Sequence, residues 1–192
     1  HLDKTEKLLL DAGIEFTEFG GAQANPLLSH AYEGVALSKA VGADFILGIG
    51  GGSAIDTAKA IAHGTANPDT DIWDFWSGAK KVEKSLPVAC ILTIPAAGSE
   101  CSNSAVLTNT EILSKRGLST DFNRPVFSVM DPTLTFTLPV FQVGCGVTDI
   151  MMHTMDRYFN PLENELTDAI AEALLRTTIS AGRVAVKDTH NY

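Results

Sequence analysis

The chain has 192 residues, of which 45% are hydrophobic and 7% aromatic, and its net charge is −9. That length and apolar content are enough for one full domain with a real core, or one and a part. The acidity, without any basic cluster, argues against a nucleic-acid binder, because phosphate neutralisation needs clustered Lys and Arg, and no apolar run approaches the roughly 20 residues that span a bilayer.

Few aromatics and frequent glycine suit an alternating α/β protein better than a β-sandwich. The three cysteines, Cys90, Cys101 and Cys145, form no CxxC pair and are odd in number, which reads as reduced thiols in a cytoplasmic protein. The start, His1-Leu2-Asp3-Lys4-Thr5-Glu6, is polar and has no signal-peptide pattern. The chain opens without Met inside a helical pattern (Leu2, Leu8, Leu9, Leu10) and stops at Asp188-Thr189-His190-Asn191-Tyr192 without a cap. A fragment of a longer protein is the expectation, with a functionless tail as the alternative.

In chain order, residues 1–12 read as a helix stopped by Gly13. Ile14, Phe16 and Phe19 fit a short strand ending at Gly20-Gly21. Ser29 is a candidate cap for a helix running to about Val41, with Gly42 as its stop. Asp44 to Ile49 is an apolar buried strand, and Ser53 to His63 a helix ended by Gly64. A turn at Asn67-Pro68-Asp69 leads to an aromatic loop or short helix, Asp71-Ile72-Trp73-Asp74-Phe75-Trp76. Pro87 to Ile94 is a second buried strand, followed by candidate strands at Ala105-Val106-Leu107 and Val126-Phe127-Ser128-Val129. Such alternation predicts a mostly parallel sheet with helices on both faces. After Pro139 the pattern turns helical, with helices over 144–158 and about 162–186. The expected organisation is a Rossmann-like α/β domain over 1–138, its first strand missing, followed by the start of an all-helical domain over 139–192.

Three segments carry chemistry. In Ile46-Leu47-Gly48-Ile49-Gly50-Gly51-Gly52-Ser53-Ala54-Ile55-Asp56, a buried strand delivers three glycines and a serine to a helix start. Glycine lets backbone approach a ligand closely, and the free amides and dipole of a helix start favour an anion such as pyrophosphate. The spacing is neither GxGxxG nor a P-loop, and a tight βα turn without ligand is the plain alternative. Thr93-Ile94-Pro95-Ala96-Ala97-Gly98-Ser99-Glu100 also follows a buried strand. Ligands of open parallel sheets bind at strand carboxyl ends, so Thr93 and Ser99 are candidate donors to phosphate or nicotinamide; a structural turn with a capping Ser is the alternative. Asp149 and His153 sit at i and i+4 on one helix face, the spacing at which a carboxylate and an imidazole bind one divalent metal. A surface ion pair is the alternative, and the neighbours Ile150, Met151, Met152 and Met155 point to a buried face. The remaining histidines, His1, His30, His63 and His190, read as surface or helix-end residues.

The ordered set of Gly50-Gly51-Gly52-Ser53-Ala54-Ile55-Asp56-Thr57-Ala58-Lys59, Trp73-Asp74-Phe75-Trp76, Val82-Glu83-Lys84-Ser85-Leu86-Pro87, Thr93 to Glu100, Asp131-Pro132, Thr137-Leu138-Pro139 and Gly146-Val147-Thr148-Asp149 with His153 resembles the iron-type (group III) alcohol dehydrogenases. The butanol-dehydrogenase branch is the most similar. The resemblance implies a dinucleotide-binding α/β domain, a helical domain, and NADP or NAD as cofactor. It implies a divalent metal, Fe2+ or Zn2+, of whose one Asp and three His ligands Asp149 and His153 match two. It gives Gly50, Gly51, Gly52, Ser53 and Asp56 to pyrophosphate and ribose, Thr93, Ala96 and Ser99 to the nicotinamide side, Lys115 to the ribose and Leu134 to the adenine side. Ala97, Asp156 and Cys101-Ser102-Asn103-Ser104 depart from the family's usual wording. The implied activity interconverts small alcohols and aldehydes by metal-assisted hydride transfer, with no nucleic-acid or membrane partner and with homodimer pairing as one expectation. The competing expectations are an inactive, truncated dinucleotide-binding module, and a polyol dehydrogenase or dehydroquinate-synthase-like enzyme on the same fold.

Overall fold

A computed structural model describes residues 2–162 and 164–191. His1, Glu163 and Tyr192, which fall in the first helix, the last helix and the tail read above, lie outside the described residues. The chain divides into two units, one made of the residues up to Leu92 together with Ser99–Met130, the other of Thr93–Gly98 and the residues from Asp131 onward.

In the first unit, helix α1 (Leu2–Asp11) ends where Gly13 takes a φ of +70°. Residues 14–19 form no strand. Ile14 and Phe16 are 52% and 40% exposed, and Phe19 instead stacks on His30, ring centroids 4.5 Å apart. Alternation alone does not make a strand; a ladder partner is needed, and none pairs with this segment among the described residues. Helix α2 (Leu28–Val41) starts one residue before Ser29, with Leu27 at the cap position and no side-chain cap. Its entry is set by backbone: Leu27 bridges Thr108, and the Thr108 N–H donates to the Pro26 carbonyl at 2.8 Å. Gly42 closes the helix in the left-handed conformation, φ +68°, as expected of a C-terminal glycine.

Strand β1 (Ile46–Gly50) feeds helix α3 (Gly52–Ala66), and strand β2 (Val88–Leu92) lies parallel beside it, with β5 (Ser128–Val129) parallel on the far side of β2. The parallel sheet is therefore as expected. Gly48 lets α3 approach β1 closely: a Cβ there would stand 3.1 Å from the Ala58 Cβ. Gly64 does not stop α3. It lies inside the helix, where a Cβ would come within 2.5 Å of both Ile72 and Val35. Asn67 caps the end, its amide donating to the His63 and Lys84 carbonyls. The aromatic segment is helix α4 (Ile72–Ser77), capped by Asp71. Its Phe75 and Trp76 join Leu28, Val35, Ile61 and Leu107 in the main core.

Strand β3 (Ser104–Asn109) pairs antiparallel with β4 (Ser114–Ser119) in a separate two-stranded sheet. The polar run Ser114-Lys115-Arg116-Gly117-Leu118-Ser119 shows no apolar alternation, because most of it faces solvent; it is a strand by virtue of its partner.

The second unit holds helices α5 (Val140–Tyr158) and α6 (Glu165–Ala185). Helix α5 begins four residues earlier than its apolar pattern indicates, because Pro139, φ −58°, leads directly into it. The two helices cross tightly at Gly182, where a Cβ would lie 2.6 Å from Val147. Gly146 gives α5 a similar closeness to the Thr93–Gly98 loop, a Cβ there standing 2.9 Å from the Pro95 carbonyl oxygen. Among the described residues, no helix is long and apolar enough to cross a membrane.

Candidate functional site

The strand register brings Gly50 beside Leu92. The glycine loop and the second loop thus leave neighbouring parallel strands at their carboxyl ends, the position where open α/β sheets bind ligands. Gly50 has a φ of +150°, and a Cβ there would collide with that of Ala54 at 2.7 Å. Gly51 is the N-cap of α3 and offers no side chain to the first turn. The amides of Gly52 and Ser53 have no carbonyl one turn back within the helix, so they are left for an incoming anion. The helix begins at Gly52 rather than Ser53, which puts one more of the glycines into this first turn.

One turn further along α3, the chain builds a buried polar network that its sequence did not announce. Lys59 is fully buried. Its Nζ donates to the Ser99 carbonyl at 2.8 Å, to Ser99 Oγ at 2.9 Å and to the Ser104 carbonyl at 2.8 Å. Ser99 Oγ donates in turn to Asp56 Oδ1 at 2.6 Å, and Asp56 Oδ2 accepts the Val106 N–H at 2.9 Å. Burial raises the Asp56 carboxyl above its usual range, against the Ser99 and Val106 hydrogen bonds and the Lys59 charge. Burial likewise lowers Lys59, with Asp56 the largest opposing influence. Three close acceptors and no donor around Nζ call for all three protons of an ammonium. The clue in the sequence was a single charge inside the apolar run Ala58-Lys59-Ala60-Ile61-Ala62.

His63, read from sequence as a surface or helix-end residue, is fully buried. Asn123 fixes its tautomer. The Asn123 amide donates to the Asn103 and Leu118 carbonyls, so its Oδ1 is left to accept from His63 Nε2 at 2.8 Å. Nδ1 then carries the bare lone pair and has no partner among the described residues, with the Phe75 and Trp76 rings nearby. Burial pushes the imidazole down to about 4, assisted by the charge of Lys59.

The other sequence-derived residues are dispersed in both burial and setting. Lys115 is exposed and donates to Asn25 at 2.7 Å. Leu134 lies in the short 3-10 turn Pro132–Thr135. Thr93 and Ala96 belong to the second unit, as do Asp149 and His153.

Asp149 and His153 do meet, His153 Nε2 lying 3.7 Å from Asp149 Oδ2. Their side chains are 46% and 48% exposed, so the face is half open despite its apolar neighbours. Asp149 lines a shallow groove along α5 with Phe141, Gly144, Cys145, Thr148 and Met152. Two donors at this separation suit one divalent ion with bonds of about 2.0–2.2 Å after a small rotamer adjustment. No third His, Cys, Asp or Glu joins them among the described residues, so they fit part of a metal's donor set.

Known proteins resemble this chain in sequence and fold. Residues 1–132 match the family model for iron-containing alcohol dehydrogenase. The chain is 42% identical over 191 residues to NADH-dependent butanol dehydrogenase A of Clostridium acetobutylicum, covering 99% of this chain and 49% of that protein. It is 36% identical over 189 residues to the NADPH-dependent aldehyde reductase YqhD of Escherichia coli, covering 96% of this chain and 49% of that one. The crystal structure of NADH-dependent butanol dehydrogenase A from Thermotoga maritima superposes with a TM-score of 0.94 at 37% identity, over 97% of this chain and 47% of that chain. The chain thus spans about half the length of the curated relatives it matches. With a glycine loop at a strand end and an Asp–His pair on α5, it belongs to the iron-containing alcohol dehydrogenase family.

Proposed function

We propose that this chain is the cofactor-binding part, and the start of the metal-binding part, of an NAD(P)-dependent enzyme interconverting small alcohols and aldehydes. The observation that carries the reading is the glycine loop, with Gly50 at φ +150°, a conformation open to glycine, ahead of an α3 without a side-chain cap. In this reading residues 1–138 form the cofactor domain and 139–192 the start of the helical one. Gly50, Gly51, Gly52 and Ser53 hold pyrophosphate through backbone amides. Lys115 and Leu134 serve the ribose and adenine, and Thr93 and Ala96 the nicotinamide. Asp56 joins them at the pyrophosphate and ribose, and Ser99 at the nicotinamide side.

Asp149 and His153 contribute two ligands to a divalent metal, Fe2+ or Zn2+. Such an ion, when bound, supplies Lewis-acid polarisation of the substrate oxygen. The cofactor supplies hydride chemistry, and the protein's part is to orient it and exclude water. Three free thiols and a charge of −9 support a cytoplasmic location and a partner set without nucleic acid. Pairing into a homodimer is part of the same proposal.

The test is titration with NADH and NADPH, read by nicotinamide fluorescence. The wild-type chain binds at least one of them, and Gly50→Ala weakens that binding about tenfold. A side chain at this φ carries strain of about 1–3 kcal/mol, and relieving it displaces the loop amides. Unchanged affinity in Gly50→Ala sinks the phosphate-cradle reading.

A binding module without turnover is the second reading, favoured by a donor set that stops at two among the described residues. The 192-residue chain accordingly shows no butanol oxidation with NADP above that of an Asp149→Ala control. Measured turnover above the control refutes this.

A further inference from the structure

The loop after β2 is strung between two points of the first unit. Its upstream end, Leu92, is held by pairing with Gly50. Its downstream end, Ser99, is gripped by α3 through both its carbonyl and its hydroxyl. Ser99 has one hydroxyl proton, and Asp56 takes it. Asp56 has two carboxylate oxygens, one accepting from Ser99 and the other from Val106. Lys59 has no exposed surface to offer a ligand. It also reaches the Ser104 carbonyl, so the hold extends over the whole return of the chain into β3.

We propose that Lys59 is a positioning residue for the nicotinamide end of the dinucleotide. It anchors Ser99, at the downstream end of the Thr93–Gly98 loop, to α3, with Asp56 as the second partner of the Ser99 hydroxyl. The inference rests on the dinucleotide reading above. Three features favour a brace over a chance burial. A lysine stem of full length is buried to deliver one charge. Every close partner of that charge lies on the segment that closes the loop. The helix that carries it is also the one that presents the glycine loop.

The test compares NADH with ADP-ribose, which lacks the nicotinamide, on the 192-residue chain. Lys59→Met is expected to lose about tenfold in NADH affinity and less than about twofold in ADP-ribose affinity. Equal losses for the two ligands overturn the proposal, since they mark a general loosening, and so does no loss for either. Amide hydrogen exchange on the ligand-free chain gives a second, independent measure. Exchange across 93–104 is expected to quicken in Lys59→Met while that of α2 stays unchanged; if Lys59→Met fails to fold, Ser99→Ala takes its place. Unaltered exchange across 93–104 overturns the brace. A wild-type chain that binds neither ligand overturns the dinucleotide reading and the cofactor role built on it, and the exchange result then judges the brace alone.

Discussion

Between pH 7 and pH 5 the wild-type protein is expected to lose about 2 kcal/mol of stability that a His63→Gln variant keeps. The unfolded histidine titrates near its ordinary 6.5, whereas in the folded chain burial holds His63 down at about 4. As pH falls through 6.5, the unfolded state takes up a proton that the folded state refuses, so stability falls with pH. The loss continues down to the folded value near 4 and totals about 3 kcal/mol, at roughly 1.4 kcal/mol for each pH unit between the unfolded and folded values. Gln retains an N–H for Asn123 and has nothing to titrate, so it isolates the imidazole. Asp56 works in the opposite direction. Its raised carboxyl contributes stability that is complete below the ordinary carboxylate value and is lost as pH rises through its folded one. It acts equally in both proteins and cancels in the comparison. Urea denaturation at the two pH values measures the difference. Parallel losses in wild type and His63→Gln would falsify the assignment of a buried, neutral His63.

Gly64→Val is expected to destabilise the fold by about 3 kcal/mol, at the upper end of what overpacking a core produces. The Cβ alone would stand 2.5 Å from methyl groups of Val35 on α2 and Ile72 on α4. Relief requires moving one of two helices that are themselves part of the main core. Gly64→Ala decides the sign. Ala improves helix propensity over Gly by about 1 kcal/mol, so at an ordinary helical position it stabilises. Here the contact outweighs that gain, and Ala is expected to destabilise as well. Gly42→Ala gives the contrast: its φ of +68° strains an L-residue, but no atom lies within 4 Å of the added Cβ. The expected loss there is only about 1 kcal/mol. A midpoint in urea that rises for Gly64→Ala would rule out the close crossing.

Gly42 and Gly64 look alike in sequence, each following a helical stretch, and both suggest a stop. One ends its helix; the other is the floor of a three-helix contact. His63 and Lys59 belong to the same class. A polar residue in a helix is taken as surface by default, and only the chain arriving from 99–123 shows that both are enclosed. Strand β4 is legible only through its hydrogen-bonded partner, and the segment 14–19, with the right alternation, has none among the described residues.

What the sequence determined by itself is the set of features that depend on neighbours along the chain. The apolar strands, the helix-start glycines after β1 and the i, i+4 spacing of Asp149 and His153 all follow from backbone periodicity and the steric freedom of Gly. So does the reading of the glycine loop as an anion cradle, since the dipole and the free amides belong to the helix start alone. Tertiary structure decided whatever depends on residues far apart in sequence. It committed Asp56 and Ser99 to each other across forty-odd positions, neutralised His63 by burial and set its proton on Nε2. It also left Asp149 and His153 half exposed beside each other on one helix face. Burial and partner are properties of the packed chain, and no local pattern encodes them.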